Sequence, residues 1–167
     1  MTMTHYMELL ATVQPWHLII FMAIPVILAE TIAIAELYLL FTREYHGAVR
    51  RVSKVAGIIA GVYFSGVFAY LFSMAVVPLT QTGAWRGPAD VIAVLSYLAG
   101  VVPLGGIALL ELKLLKRNAS DEDRLKQHAI FVAVFLVVAH VAMIFGMLNP
   151  TILGWHDTAP QQMEMQK

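Results

Sequence analysis

The sequence predicts an all-α integral membrane protein, a four-helix transmembrane bundle with both termini on the outer, periplasmic side. Three observations predict this fold: the composition, four long apolar segments, and the placement of Lys and Arg. Of the 167 residues, 59% are hydrophobic and 13% are charged, and the mean hydropathy is +0.73. A soluble domain carries about 25% charged residues. This chain therefore has too little polar surface for a water-soluble globule.

Charge and cysteine content exclude several classes of function. The chain has no cysteine, so disulfides, thiolate metal sites and iron–sulfur clusters are excluded. Lys and Arg together number 11, as do Asp and Glu, so the net charge is zero. A neutral chain has no global electrostatic reason to bind nucleic acid. The expected partner is the lipid bilayer, and no nucleic acid partner is expected.

The length of the apolar segments predicts the spans and the domain organisation. A helix needs about 20 residues to cross about 30 Å of hydrocarbon, and in lipid each backbone amide must be paired within its own segment. Residues 16–153 should form the transmembrane domain. An outer segment, 1–15, could contain an interfacial helix, and 154–167 should form an outer tail. The predicted spans are residues 16–41, 55–79, 91–110 and 129–148.

The basic residues predict the orientation in the membrane. Nine of the 11 Lys and Arg residues lie in the loops after the first and third spans. Only Arg86 and Lys167 lie elsewhere. Cytoplasmic loops carry an excess of basic residues, so we expect both of these loops to be cytoplasmic and both termini to be outside. The expected location is a bacterial inner membrane.

Glu30 and His140 are the main candidates for a functional site, because ionisable groups at bilayer depth are costly and usually functional. Glu30 lies 12 residues before Thr42, and His140 lies 12 residues after His128. At 1.5 Å per residue, both should lie about 18 Å above the cytoplasmic face. The first and fourth spans are predicted to be antiparallel, so these two side chains could face each other.

Other polar features are expected near the same depth. Ser65 should lie about 16 Å deep in the second span. Pro103 is expected to interrupt the third span and to expose backbone carbonyls, which transporters use as ligands. Pro25 cannot donate a hydrogen bond to the carbonyl of Phe21, which is therefore free. These groups predict a polar centre together with the Glu30–His140 pair.

Two kinds of function fit such a centre. The first is handling a proton or a metal ion, by a permease-like protein or by an accessory subunit of a larger membrane complex. The second is a scaffold without chemistry, in which Glu30 and His140 form a buried pair that fixes helix register. No phosphate-binding glycine loop, H-E-x-x-H or G-x-S-x-G motif is present. A hydrolase or a kinase is therefore not expected.

Two further acidic residues lie nearer the predicted cytoplasmic face. Glu36 is six residues beyond Glu30, a rotation of about 120° away from its helix face. Glu111 lies at the inner boundary of the third span. We expect anchoring or salt-bridge roles for both, with Lys54 or Lys113 as the partner of Glu36.

The histidines leave a different class of function open, a b-type haem subunit for electron transfer. Haem iron is commonly held by histidine in helical bundles. His17 opens the first span and His156 follows the fourth, so both come to a similar outer height and could hold haem b or a metal. His140 is a further possible axial ligand. The alternative is that His17 and His156 are ordinary interfacial residues.

Methionine and histidine in both tails predict a possible Cu(I) site, because thioether and imidazole ligands suit this ion. The ordinary alternative is that methionine fills gaps between helices. The cofactor therefore remains open among copper, iron and haem b. The candidate tail ligands are Met3, His5, Met7, Met163 and Met165.

A G-x-x-x-G motif formed by Gly57 and Gly61 predicts a close helix–helix contact in the second span. The contact could be made within the chain or between chains. Four short helices enclose little volume, so we also expect a homo-oligomer or a larger membrane complex.

Overall fold

The computed structural model describes residues 3–44, 46–115 and 120–156. After a short helix, four long helices follow, of 27, 35, 25 and 27 residues. All four are apolar and long enough to cross a membrane, which confirms the predicted four-helix fold. A 3-10 turn, Pro150–Leu153, follows the last of them. The helices are α1 His5–Ala11, α2 Trp16–Thr42, α3 Ala48–Thr82, α4 Gly87–Glu111 and α5 Asp121–Met147.

The long helices form a closed ring in which each helix contacts the next and α5 returns to α2. The loops after α2 and α4 lie at one end, which we call the basic end because most Lys and Arg residues cluster there. The opposite end, where α2 begins and α5 ends, is the terminal end. The core between the two ends is aromatic, since the Phe64 ring lies 5.2 Å from Tyr97 and 5.7 Å from Phe135, centroid to centroid.

The helices α3 and α5 begin earlier than the apolar pattern predicts, at residues 48 and 121 rather than 55 and 129. At the start of α5, the Ser120 hydroxyl accepts a hydrogen bond from the Asp123 amide at 3.1 Å. Acidic residues in the first turn also interact favourably with the helix dipole. These additional turns carry Arg50, Ser53 and His128 out of the predicted loops and into the bundle.

The helices α3 and α4 approach each other closely at the two glycines of the G-x-x-x-G motif. A Cβ atom on Gly61 would lie 2.4 Å from the Cβ of Ala108 and 2.6 Å from the carbonyl oxygen of Leu104. A Cβ atom on Gly57 would lie 2.7 Å from a methyl group of Ile107. The motif therefore serves a contact within the chain.

The backbone irregularity of α2 lies where Pro25 removes a donor. A single π-helical turn spans Ile19–Ala23. The carbonyl of Phe21 accepts a hydrogen bond from the Tyr97 hydroxyl, and that of Ile20 accepts one from Tyr63 at 2.9 Å. Two tyrosines from neighbouring helices thus donate hydrogen bonds to backbone carbonyls of this turn.

The helix α4 is irregular near Pro103, as expected. The helix is distorted at Gly100, whose amide donates to the carbonyl of Tyr97 at 3.1 Å, while Pro103 lies buried in the helix that follows. The Leu104 amide donates to the carbonyl of Gly100 at 3.2 Å. The expected interruption is therefore present, one turn before Pro103, which has no amide to donate to the carbonyl of Ala99, and the helix regains its hydrogen bonds within one turn.

The short helix α1 packs onto the terminal end of the bundle. Tyr6 and Leu10 are buried, and the Thr4 hydroxyl donates to the carbonyl of Gly146 on α5 at 2.6 Å. The Tyr6 ring lies directly on Gly146, where a Cβ atom would come within 2.6 Å of the ring. Burial raises the pKa of the Tyr6 phenol to about 12, so it stays neutral at physiological pH.

Candidate functional site

A buried polar cluster lies at the basic end, and each long helix contributes to it. The contributing side chains are Glu36 from α2, Arg50 and Ser53 from α3, Glu111 from α4 and His128 from α5. Ser53 and His128 are fully buried, and Glu36 and Glu111 are 1% and 4% exposed. Charged groups are almost never buried this deeply without partners.

His128 connects the two carboxylates. Its Nδ1 lies 2.7 Å from Oε1 of Glu36, and its Nε2 lies 3.2 Å from Oε1 of Glu111. The same Glu111 oxygen lies 2.6 Å from Nη1 of Arg50. The Ser53 hydroxyl donates to Oε1 of Glu36 at 3.5 Å. The imidazole thus bridges α2 and α4 while Arg50 balances one carboxylate.

Local packing brings these groups together. Gly57 lies one helical turn after Ser53, and a Cβ atom there would come within 4.0 Å of both the Glu111 side chain and the His128 ring. The absence of a side chain on Gly57 therefore leaves room for α4 and α5 to converge. His128 lies seven residues into α5, about 10 Å along the helix, and Glu36 lies about 9 Å before the end of α2.

The charge balance of Glu36, Arg50, Glu111 and His128 depends on the protonation of the imidazole. Nε2 of His128 lies 3.2 Å from Oε1 of Glu111, but neither atom has a hydrogen-bond partner among the described residues. With His128 doubly protonated, two negative and two positive groups face one another and the cluster is neutral. Without that proton, the buried cluster carries a net negative charge, which is costly at this depth.

Part of the cluster is not saturated with hydrogen bonds. Oε2 of Glu36 is buried and has no hydrogen-bond partner among the described residues. On α5, the same holds for Nε of Arg124 and for Oε1 of Gln127. Arg124 is buried one turn before His128, on the same face of the helix. Within the cluster, the unbonded Oε2 of Glu36 is a spare acceptor for a rearranged hydrogen-bond pattern.

A metal ion was one expected ligand. Among residues 3–44, 46–115 and 120–156, no group of three or more His, Asp or Glu side chains could hold a metal ion.

The predicted centre at Glu30 and His140 differs from the basic-end cluster in its exposure and in its hydrogen bonds. Both residues line one groove between α2 and α5, about 140 Å³ in volume. Both are exposed, and no bond between them exists in the described structure. His140 instead contacts the carbonyl of Leu136 on its own helix, with Nδ1 at 2.6 Å. The structure thus brings the pair to one groove without joining them in a hydrogen bond.

The other predicted polar groups take different partners from those expected. Ser65 is exposed and donates to the carbonyl of Gly61 on its own helix at 2.7 Å. The expected pairing of Glu36 with Lys54 or Lys113 is wrong. Glu36 points into the bundle toward His128, because α5 starts early enough to bring that residue to the same level.

Two candidate ligands at the terminal end, His17 and His5, have protein partners. Nδ1 of His17 lies 2.9 Å from the carbonyl of Leu9, and His156 is exposed. Nδ1 of His5 lies 2.6 Å from a carboxylate oxygen of Asp90, so His5 is not a free copper ligand. Met3 is exposed and Met7 packs against the core, whereas Met163 and Met165 lie outside the described residues.

Asp90 forms a second buried ionic site that the sequence reasoning did not find. It is fully buried near the start of α4 and accepts hydrogen bonds from the backbone amides of His5 at 2.6 Å and Arg86 at 3.1 Å. Its second contact with His5, through the imidazole, fastens α1 to the bundle. The side chain of Arg86 pairs with Glu8 at 2.6 Å and donates to the carbonyl of Met3.

Sequence reasoning also missed the role of His128, which it placed at the cytoplasmic face. A usable signal was present for Glu36 and His128, which lie about 9 Å and about 10 Å from the ends of their helices. The signal was obscured because the apolar span was started after His128. Counting α5 from its cap at Ser120 would have placed the imidazole inside the bundle.

Comparison with known proteins identifies the family of the chain but gives no information on its activity. Residues 1–163 match a family of unknown function, DUF6803, so the chain belongs to that family. No curated protein matches the chain. No solved structure matches it either.

Proposed function

We propose, from the buried cluster, that this membrane protein binds and releases a proton. The proton is held among Glu36, Glu111 and His128, and its loss or gain changes the packing of the bundle. The observation that supports this proposal is the position of the His128 imidazole between two buried carboxylates. Its Nδ1 lies 2.7 Å from Oε1 of Glu36, and its Nε2 lies 3.2 Å from Oε1 of Glu111. Such a protein is a permease-like carrier or a proton-responsive subunit of a larger membrane complex.

The chemistry follows from the charge balance. Release of one proton leaves one uncompensated negative charge in a site where water is excluded. The site then becomes more stable if water enters or if Arg50 moves closer to both carboxylates. Because Glu36, Arg50, Glu111 and His128 belong to four different helices, either response changes the contacts between helices. Proton occupancy is thereby coupled to conformation.

The proposal keeps the proton chemistry expected from the sequence but moves it to the basic end. Glu30 and His140 have no bond to each other, whereas the basic-end groups are in direct contact. The competing view is a scaffold in which the cluster only holds the helices together. A scaffold needs a fixed charge state, whereas a proton-binding site must titrate.

Infrared difference spectroscopy on the full chain in detergent tests the proposal. We expect a pH-dependent carboxyl band that Glu36→Gln or Glu111→Gln weakens or shifts, because each substitution removes one acid that shares the proton. Glu44→Gln is the matched control, since Glu44 is exposed in the loop after α2, and this variant should keep the band.

Two results would contradict proton binding at the cluster. One is a wild-type spectrum without a pH-dependent carboxyl band over the range in which the protein stays folded. The other is a band that both cluster variants keep unchanged. Either result supports the scaffold. Size-exclusion chromatography of each variant verifies that the comparison is made on folded protein.

A further inference from the structure

We propose that the groove between α2 and α5 binds a hydrophobic ammonium compound that enters from the lipid. The groove is separate from the proton-binding cluster and has a volume of about 140 Å³. Its lining combines one carboxylate and one imidazole with four aromatic rings. These residues are Glu30, His140, Tyr6, Phe21, Tyr97 and Phe135.

The depth and exposure of Glu30 require an occupant. Glu30 lies 12 residues before the end of α2 at Thr42, about 18 Å along the helix, in the middle of a membrane span. Its side chain is exposed and has no hydrogen bond or ion pair with any described residue. An ionisable group in contact with hydrocarbon is costly and is normally paired. A cation in the groove supplies that pairing.

The hydrogen-bonding state of His140 limits what the occupant can be. Nδ1 lies 2.6 Å from the carbonyl oxygen of Leu136, which can only accept, so Nδ1 carries a proton. In the neutral ring, Nε2 is then a hydrogen-bond acceptor. Glu30 and His140 therefore offer two acceptors and no obligatory donor. A ligand with N–H donors and a positive charge satisfies both, whereas an anion satisfies neither.

The aromatic lining favours the same class of ligand. The faces of aromatic rings attract an ammonium group, and this attraction is stronger where water is excluded. The Tyr97 hydroxyl is already bonded to the carbonyl of Phe21, which fixes that ring in place. The Phe64 ring packs against Tyr97 and Phe135, with centroid distances of 5.2 Å and 5.7 Å, and this packing fixes the positions of both rings. The wall of the groove is thus formed before a ligand arrives.

Binding of 2-phenylethylammonium to the full chain in lipid nanodiscs tests this assignment. Its neutral analogue 2-phenylethanol has the same ring and chain length but no positive charge. We expect the ammonium to bind about tenfold more tightly than the alcohol, as is typical of a charged hydrogen bond. Glu30→Gln should remove that difference, because the amide carries no charge. Isothermal titration calorimetry measures both ligands.

The matched control is Glu44→Gln, which removes an exposed acid from the loop after α2 and should bind like wild type. The assignment is overturned if wild type does not bind the ammonium, if it binds both compounds equally, or if Glu30→Gln retains the preference. Native mass spectrometry of the same samples tests whether a second copy of the chain occupies the groove instead. If Glu30→Gln dissociates a wild-type oligomer, the groove is an interface between copies of the chain.

Discussion

At the scale of single residues, the two buried ionic sites show how charge is placed inside an apolar bundle. At the terminal end, Asp90 is surrounded by two backbone amides and one imidazole. At the basic end, Glu36 and Glu111 share one imidazole, and only Glu111 also pairs with an arginine. The first site supplies enough hydrogen-bond donors to stabilise a carboxylate that stays charged. The second has fewer donors than its carboxylates can use, which suits a proton that moves.

Replacing Asp90 tests the importance of the terminal-end site. Asp90→Asn removes the charge that His5 and two amides stabilise, and it should lower the free energy of unfolding by about 2 kcal/mol. Glu8→Gln is the matched control, because the Glu8 side chain is 51% exposed and its pair with Arg86 should contribute less than about 1 kcal/mol. Denaturant unfolding in detergent measures both. Equal losses would contradict the importance of burial.

At this scale, the sequence predicted the depth of residues better than their partners. It found Glu36 and Glu111 but assigned them roles at the surface. The error arose because Arg50 and His128 lie outside the uncharged windows that define spans. A charged residue at a helix end looks like loop sequence, although its side chain can turn into the bundle. Partner identity depends on how four helices rotate against each other, which hydropathy does not encode.

At the scale of helices, the contact between α3 and α4 depends on small residues. The closest approach is at Gly61, where the backbone of Leu104 leaves no space for a methyl group. The motif predicted a close contact, and the structure assigns its partner, α4. The motif alone could not do so, because a glycine pair is equally suited to a helix of the same chain or of another chain.

Gly61→Ala tests this contact. The added methyl group would force α3 away from α4 and should lower the free energy of unfolding by about 1–3 kcal/mol. Gly66→Ala is the control on the same helix, because a Cβ atom there meets nothing within 4 Å. That variant should be neutral or more stable by about 0.5–1 kcal/mol, since alanine favours the helix. Thermal unfolding that ranks the two variants the other way would contradict the close contact.

At the scale of the whole molecule, the chain is an up-and-down bundle with α1 folded across one end. The number of long helices and their order along the chain follow from hydropathy, and both were predicted. The packing of α1 was not predicted in this form, because a short segment with buried Thr4 and Tyr6 has no distinctive pattern. Its position results from Asp90 and Gly146, which are distant in sequence.

The orientation of the bundle is a prediction that the chain makes convenient to test, since it has no cysteine. Glu44→Cys places a thiol in the loop after α2, and Gln81→Cys places one near the end of α3; both positions are exposed. A membrane-impermeant maleimide should label Gln81→Cys in intact cells and Glu44→Cys only after permeabilisation. The reverse pattern would place the basic end outside.

The basic-end cluster also has a consequence for how the chain is made. Synthesis inserts α2, α3 and α4 before α5 exists, so Glu36 and Glu111 enter the bilayer with Arg50 as their only cationic partner from the cluster. The imidazole that joins them comes from the last long helix. A nascent or truncated chain without α5 therefore leaves both carboxylates between its helices without the imidazole that joins them.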